Sequence, residues 1–256
     1  MSGRVAWVAI APVKGLALEL LDEVELTGFG PAGDRRFFLI DGDDRLVNGK
    51  GLGILQQIHP AYDTAGGTLT LRLPGGEEVA GPVELGDPVE TRFWSRTLEA
   101  RTVVGPWSEA ISALTGRSLR LVAPDRPAVD RFRSGAASLL STASLGALAA
   151  ELGVPDVDSR RFRMHFGIDG VEAHAEDGWI GRRVRIGEAV VVPQGNVGRC
   201  AVTTQDPDTG RPDLDTLKAL ARYRREVETT EPLPFGVYAA VTEPGRIRVG
   251  DPVDPE

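Results

Sequence analysis

Cysteine, lysine and histidine are scarce in this chain of 256 residues, and each shortage removes a class of function. One cysteine, Cys200, cannot close an intrachain disulfide or hold an iron–sulfur cluster, so nothing argues for an oxidising compartment. The three histidines, His59, His165 and His174, show none of the clustered spacing of a zinc site. Lysines are only Lys14, Lys50 and Lys218. With Lys plus Arg at 29 and Asp plus Glu at 37, the net charge of −8 argues against a nucleic-acid phosphate track. No apolar run reaches the roughly 18 residues that a membrane span requires. Pro12 and Lys14 interrupt the apolar start "MSGRVAWVAIAPVKG" and no small-residue cleavage site follows, so a cytoplasmic protein is expected, with neither membrane nor nucleic acid as partner. A Gly-x-Ser-x-Gly nucleophile elbow and a Walker-type phosphate loop are also missing.

Glycine (31) and proline (18) are plentiful and point to many turns. The first hundred residues alternate β-formers with turn signals: "VAWVAIAPV", "LELLDEVEL", "RRFFLID", "TLTLRLP", "PVETRFW" and "TLEARTVV" read as strands of a meander or barrel. A Gly-Asp or Gly-Glu pair recurs between β-forming arms in "ELGDPVETRF", "RIGEAVVVP" and "RVGDPVDP", where it can turn one strand into the next. Helices are expected only beyond residue 105. They are "PWSEAISALTG" ending at Gly116, "STASLGALAAELG" with Leu145, Leu148 and Leu152 on one stripe, and "DLDTLKALARYRR" with Asp213 as N-cap. The fold class is therefore mainly β with a few helices, and the shift in composition puts a boundary between about 105 and 135, giving two β-rich domains of which the second carries the helices.

Two segments carry candidate chemistry. In "GNVGRCAVTTQDPDTG" (195–210) Cys200 is either an inert residue in an apolar strand or a reactive or metal-bound thiol. Arg199, Asn196, Thr203 and Thr204 would suit the second. "DPDTGRPDLDTL" is a tight turn rather than a calcium loop, because Gly210 falls at the fifth place and Leu217 stands where a glutamate is needed. Strand alternation in "RRFRMHFGID" (160–169) would put Arg161 and Arg163 on one face, either solvated or turned inward as guanidiniums for a buried anion.

Together, "PVKG" (12–15), "GDRRFFLID" (33–41), "LLSTASLGAL" (139–148), "RFRMHFGIDG" (161–170), "AEDGWIGRRVRIG" (175–187), "GRCAVTTQDPDTG" (198–210), "LKALARYR" (217–224) and "FGVYA" (235–239) carry a resemblance over nearly the whole chain. The chain resembles the MOSC family of molybdenum-cofactor (molybdopterin) proteins in its two-part form with an amino-terminal β-barrel domain, the group that includes the mitochondrial amidoxime-reducing components and bacterial relatives. The resemblance implies two β-barrel-like domains, 1–115 and 116–256, with Cys200 as protein ligand to molybdenum and Lys14, Arg35 and Arg163 around the cofactor phosphate. It also implies Thr203, Thr204 and Ser141 among the cofactor-binding residues. His165 stands where relatives have Asn, as a proton donor or as a hydrogen-bonding substitute. Gly15, Met164 with His165, and the stretches 133–137 and 45–51 depart from the family pattern. Three functions follow: a cofactor-dependent oxidoreductase acting on an N-hydroxylated small-molecule substrate and fed by a separate electron-donor protein; a sulfur carrier loaded on Cys200 by a pyridoxal-phosphate cysteine desulfurase; or a cofactor-free binding module.

Overall fold

Gly3–Ile10, rich in β-formers and apolar from Val5 onward, forms a strand that closes a barrel built otherwise from the second half of the chain. The computed structural model describes residues 2–128, 130–229 and 231–256. Among these the protein is mostly β with three α-helices. Seven strands, β1 (Gly3–Ile10), β2 (Ala137–Ser141), β3 (Phe166–Asp169), β4 (Val184–Ile186), β5 (Ala189–Gly198), β6 (Pro234–Glu243) and β7 (Pro252–Pro255), pair in the order β1-β3-β2-β6-β5-β4-β7. β7 pairs back to β1, so the barrel is closed. Every pairing is antiparallel except β2 with β3. A parallel pair needs a crossover, which helix α2 (Thr142–Leu152) supplies between those two strands.

Alternation divides the side chains between two cores. Val5, Leu139, Phe166, Ile168, Val237 and Val253 point into the barrel. Leu140, Phe162, Met164 and Phe235 face outward, under α2 and α3 (Thr216–Tyr223). Ser141 caps α2 by accepting from the Ser144 amide, Leu145 and Leu148 are buried on the expected stripe, and Gly153 ends the helix at φ 69°.

In the amino-terminal half, strands Glu84–Phe93, Arg96–Val104, Arg120–Pro124, Phe38–Ile40 and Leu46–Val47 form a five-stranded sheet. His59–Asp63, Thr68–Arg72 and Glu78–Pro82 form a sheet of three. Phe37 and Leu39 pack on one face, with Trp107 and Ile111 of α1 (Trp107–Thr115), and Phe38 and Ile40 on the other, so this sheet is buried on both sides.

Several local expectations are corrected. Of "RRFRMHFGID" only Phe166–Asp169 is strand: the Asp158 carboxylate accepts from the Arg160 amide and starts a 3-10 turn over Ser159–Phe162. "GDRRFFLID" is strand only at Phe38–Ile40, and "CAVTT" is not strand: β5 ends at Gly198 and Ala201–Thr204 form a 3-10 turn. Asp213 does not cap α3. Asp215 stands at that position, and Asp213 pairs with Arg161 instead. In "ELGDPVETRF" the Gly-Asp pair is a bulge within one strand, whereas Gly187-Glu188 joins β4 to β5 and Gly250-Asp251 leads into β7. "DPDTG" is the expected tight turn, with the Asp206 carboxylate accepting from the Asp208 and Thr209 amides.

Candidate functional site

Three pieces of irregular backbone converge beside the barrel. After β1 the chain turns at 11–16, where Lys14 donates its amide to Phe37 O at 2.8 Å. There Gly15 takes φ 93°, and a Cβ would lie 3.2 Å from Asn48 Cα, so glycine suits this backbone. The 34–35 turn is tied to the same segment, since Ala11 N donates to Asp34 Oδ1 and Arg35 N to Ala11 O, both at 2.8 Å. Arg163 (φ 54°) follows the 3-10 turn, and Arg199 and Cys200 follow β5.

These pieces wall a cleft of ≈ 240 Å³ lined by Lys14, Arg35, Arg163, His165, Cys200 and Thr203, among others. Seven of the described lining residues are lysine or arginine and one, Asp130, is a carboxylate. On a chain of net charge −8 this is a local reversal of sign.

The cations differ in how they are neutralised. Arg161 is held bidentate by Asp213, with both contacts at 2.7 Å. Arg131 pairs with Glu231 at 2.8 Å and lies over the Tyr238 ring. Lys14 pairs with Asp130 at 2.9 Å. Arg163 has no carboxylate partner among the described residues; it donates to Leu16 O at 2.7 Å, and burial, then repulsion from Arg35, lowers its pKa to about 10. Arg199 is also without an acid partner among the described residues. It donates to Phe162 O and Phe235 O, each at 2.9 Å, and lies over the Phe162 ring. Burial lowers its pKa, opposed by the neighbouring Cys200 and Glu176. Guanidiniums that retain unspent charge beside a cleft suit an anionic ligand.

Asp34, 2 % exposed, organises one wall. It contacts Arg35, and its Oδ2 lies 3.0 Å from His165 Nε2. Burial works to raise its pKa, but Arg35 and His165 outweigh that and hold the carboxyl well below the usual range. His165 is 3 % exposed, and its other ring nitrogen lies 3.2 Å from Ser138 Oγ. Both nitrogens are engaged, so the ring supports Asp34 and Arg35.

Cys200 is exposed where it lines the cleft. Its carbonyl accepts from both the amide and the hydroxyl of Thr203 at 3.1 Å, and that hydroxyl lies 2.8 Å from Thr216 Oγ1. Thr203 therefore fixes the cysteine backbone. Thr204 and Ser141 are not brought to the cleft: the Thr204 hydroxyl donates to Ala201 O, and Ser141 is the buried cap of α2.

Sequence reasoning missed Asp34, Asp130, Trp94, Gln56 and Gln205. Gln56 Nε2 donates to Gln205 Oε1 at 2.6 Å, and Gln205 Nε2 donates to Gly49 O at 3.1 Å, which ties the cysteine loop to the amino-terminal half. Only the acid beside the arginines in "GDRR" offered a signal for any of them.

Fold and site together define a class: a closed-barrel protein whose cationic cleft presents a thiol. Residues 2–118 match the MOSC N-terminal beta barrel domain and residues 128–254 the MOSC domain. The chain belongs to the MOSC family. It is 29 % identical to mitochondrial amidoxime-reducing component 1 of Homo sapiens, over 98 % of this chain and 82 % of that protein. A 102-residue stretch is 41 % identical to mitochondrial amidoxime reducing component 2 of Homo sapiens, covering 36 % of this chain and 29 % of that protein. Among solved structures, the YUAD protein from Bacillus subtilis shares the fold, with a TM-score of 0.51 at 14 % identity over 99 % of this chain and 94 % of that one. No helix among the described residues is long and apolar enough to cross a membrane.

Proposed function

We propose that the protein is a molybdenum-cofactor oxidoreductase that removes oxygen from N-hydroxylated small molecules, with Cys200 as the protein's ligand to the metal. The observation that carries the reading is the convergence of Lys14, Arg35 and Arg163 on the cleft that Cys200 lines. The donor set fits the group: a thiolate suits a sulfur-rich molybdenum sphere, and a guanidinium without a carboxylate partner suits a phosphate. The amidoxime-reducing relatives support the substrate class.

In this reading Arg163, Arg35 and Lys14 bind the anionic end, and Asp34 and His165 hold Arg35 in place. Thr203 keeps the Cys200 backbone in position, and Arg199 places positive charge next to the sulfur. When bound, the cofactor supplies two-electron chemistry, in which the substrate oxygen leaves as water with uptake of two protons. One cysteine cannot hold an iron–sulfur cluster, and in this reading electrons come from a separate donor protein. An amidoxime assay with a chemically reduced mediator tests this: cofactor-loaded protein is expected to form one amidine per two electrons, and equal turnover by Cys200→Ala would overturn the ligand assignment.

The exposure of Cys200 favours a second reading, a persulfide carrier loaded by a cysteine desulfurase, since a carrier thiol must be reachable. Transfer of labelled sulfur to Cys200 from such an enzyme would support it. The cationic cleft has no part in that role.

A further inference from the structure

Lys14 is 9 % exposed, and an ammonium that deep needs an anion. Asp130 supplies it, and it is held very differently from Asp34, the acid of the neighbouring wall. Asp34 is locked by a backbone amide, Arg35 and His165. Asp130 lies on a stretch outside any strand or helix, with its side chain 48 % exposed, yet its two oxygens sit 2.9 and 3.1 Å from Lys14 Nζ. Among the described residues its other side-chain hydrogen-bond partner is the indole of Trp94, whose Nε1 donates to Oδ1 at 2.9 Å. Trp94 stands at the tip of the two-residue hairpin between Phe93 and Arg96, is 51 % exposed, and adopts φ 57°, a conformation unfavourable for a bulky residue. The two-residue turn itself calls for a positive φ at that position, and it leaves the indole against Asp130 and lining the cleft.

We propose that Asp130 is a resident counter-anion: it fills the anion position on Lys14, is displaced by the anionic group of the incoming ligand, and with Trp94 sets how tightly the cleft holds anions. The inference rests on the reading of the cleft as an anion site. A carboxylate that must leave before a phosphate can reach Lys14 subtracts the energy of its own ion pair from ligand binding. It keeps the buried ammonium paired until then. Displacement also removes the acceptor from the Trp94 indole, so that side chain reports the exchange.

The test uses the full chain, prepared free of cofactor, with inorganic pyrophosphate as probe at pH 6.5. Titration calorimetry is expected to give about tenfold tighter binding for Asp130→Asn than for wild type, the scale of a part-buried ion pair no longer broken. Pyrophosphate is expected to change tryptophan emission in wild type and not in Trp94→Phe, which separates Trp94 from Trp7, Trp107 and Trp179. Equal or weaker binding by Asp130→Asn and Asp130→Ser, with binding lost in Lys14→Met, would leave the anion site standing and overturn the counter-anion. So would saturation of wild type without any change from Trp94. Unchanged pyrophosphate affinity in both Lys14→Met and Arg163→Ala would remove the anion site, and the proposal with it.

Discussion

The loop that carries Cys200 is stapled to the amino-terminal half through a backbone contact that a single methyl group should break. Gly210 adopts φ 68°, and a Cβ there would lie 1.9 Å from Gly53 O and 2.3 Å from Gly53 C. The contact is reciprocal, since a Cβ on Gly53 would lie 2.0 Å from Gly210 O. Neither neighbour is the end of a flexible side chain, so the two backbones must separate by more than an ångström. Gly210→Ala therefore combines a left-handed alanine, about 1 kcal/mol, with overpacking of about 1–3 kcal/mol. The expected loss is roughly 2–4 kcal/mol. Separation also strains the bonds that cross nearby, Gln57 Nε2 to Thr209 O at 2.9 Å and Gln205 Nε2 to Gly49 O at 3.1 Å. Urea unfolding should show a midpoint lowered by roughly 1 M at an unchanged slope. Because Cys200 is the only thiol, its rate with a thiol reagent reads the loop directly, and a several-fold change is expected. Gly28→Ala, where nothing lies within 4 Å, is the control and should change stability by less than about 0.5 kcal/mol. A Gly210→Ala protein within that same margin, with an unchanged thiol rate, would refute the reasoning.

Further outcomes follow from the site and its surroundings. Arg163→Ala removes a guanidinium that has no acid partner among the described residues and is expected to lower molybdenum and pterin content several-fold, read by elemental analysis and by fluorescence after oxidation; unchanged content would remove Arg163 from the phosphate site. His174 has both ring nitrogens buried without a hydrogen-bond partner among the described residues, and burial, then repulsion from Arg224, lowers its pKa to about 4 from 6.5. The unfolded chain then binds the extra proton first, so stability falls as pH drops from about 6.5 to 4, by no more than about 2 kcal/mol for this half-buried group. His174→Leu should flatten that part of the stability curve, and an undiminished slope would show that another group drives it.

Much of the architecture was legible because it rests on period and punctuation. The β-formers of "VAWVAI" and of "FLI" within "RRFFLID", the leucine stripe of α2 and the glycines at 116 and 153 act locally, and the structure has strands, a buried stripe and helix ends at those places. Local competition obscured other parts. In "RRFRMHFGID" the pattern suits a strand, but the Asp158 carboxylate caps a 3-10 turn and Arg163 turns the chain, so the two arginines are aimed by turns rather than by a pleat. Asp213 has the composition of a cap, yet its carboxylate is better used by the buried Arg161. Lys14, Arg35, Arg163 and Cys200 were legible as a group only through resemblance, because their meeting depends on pairings across most of the chain. Asp130 and Trp94 belong to no motif and became visible only as contacts of Lys14.

The most direct test of the account is molybdenum content, with pterin fluorescence after oxidation, for wild type and Cys200→Ala purified from a host that makes the cofactor. The account predicts near-stoichiometric metal and pterin in wild type and loss of the metal in the folded variant. Absence of both from wild type, or full molybdenum in Cys200→Ala, would contradict it.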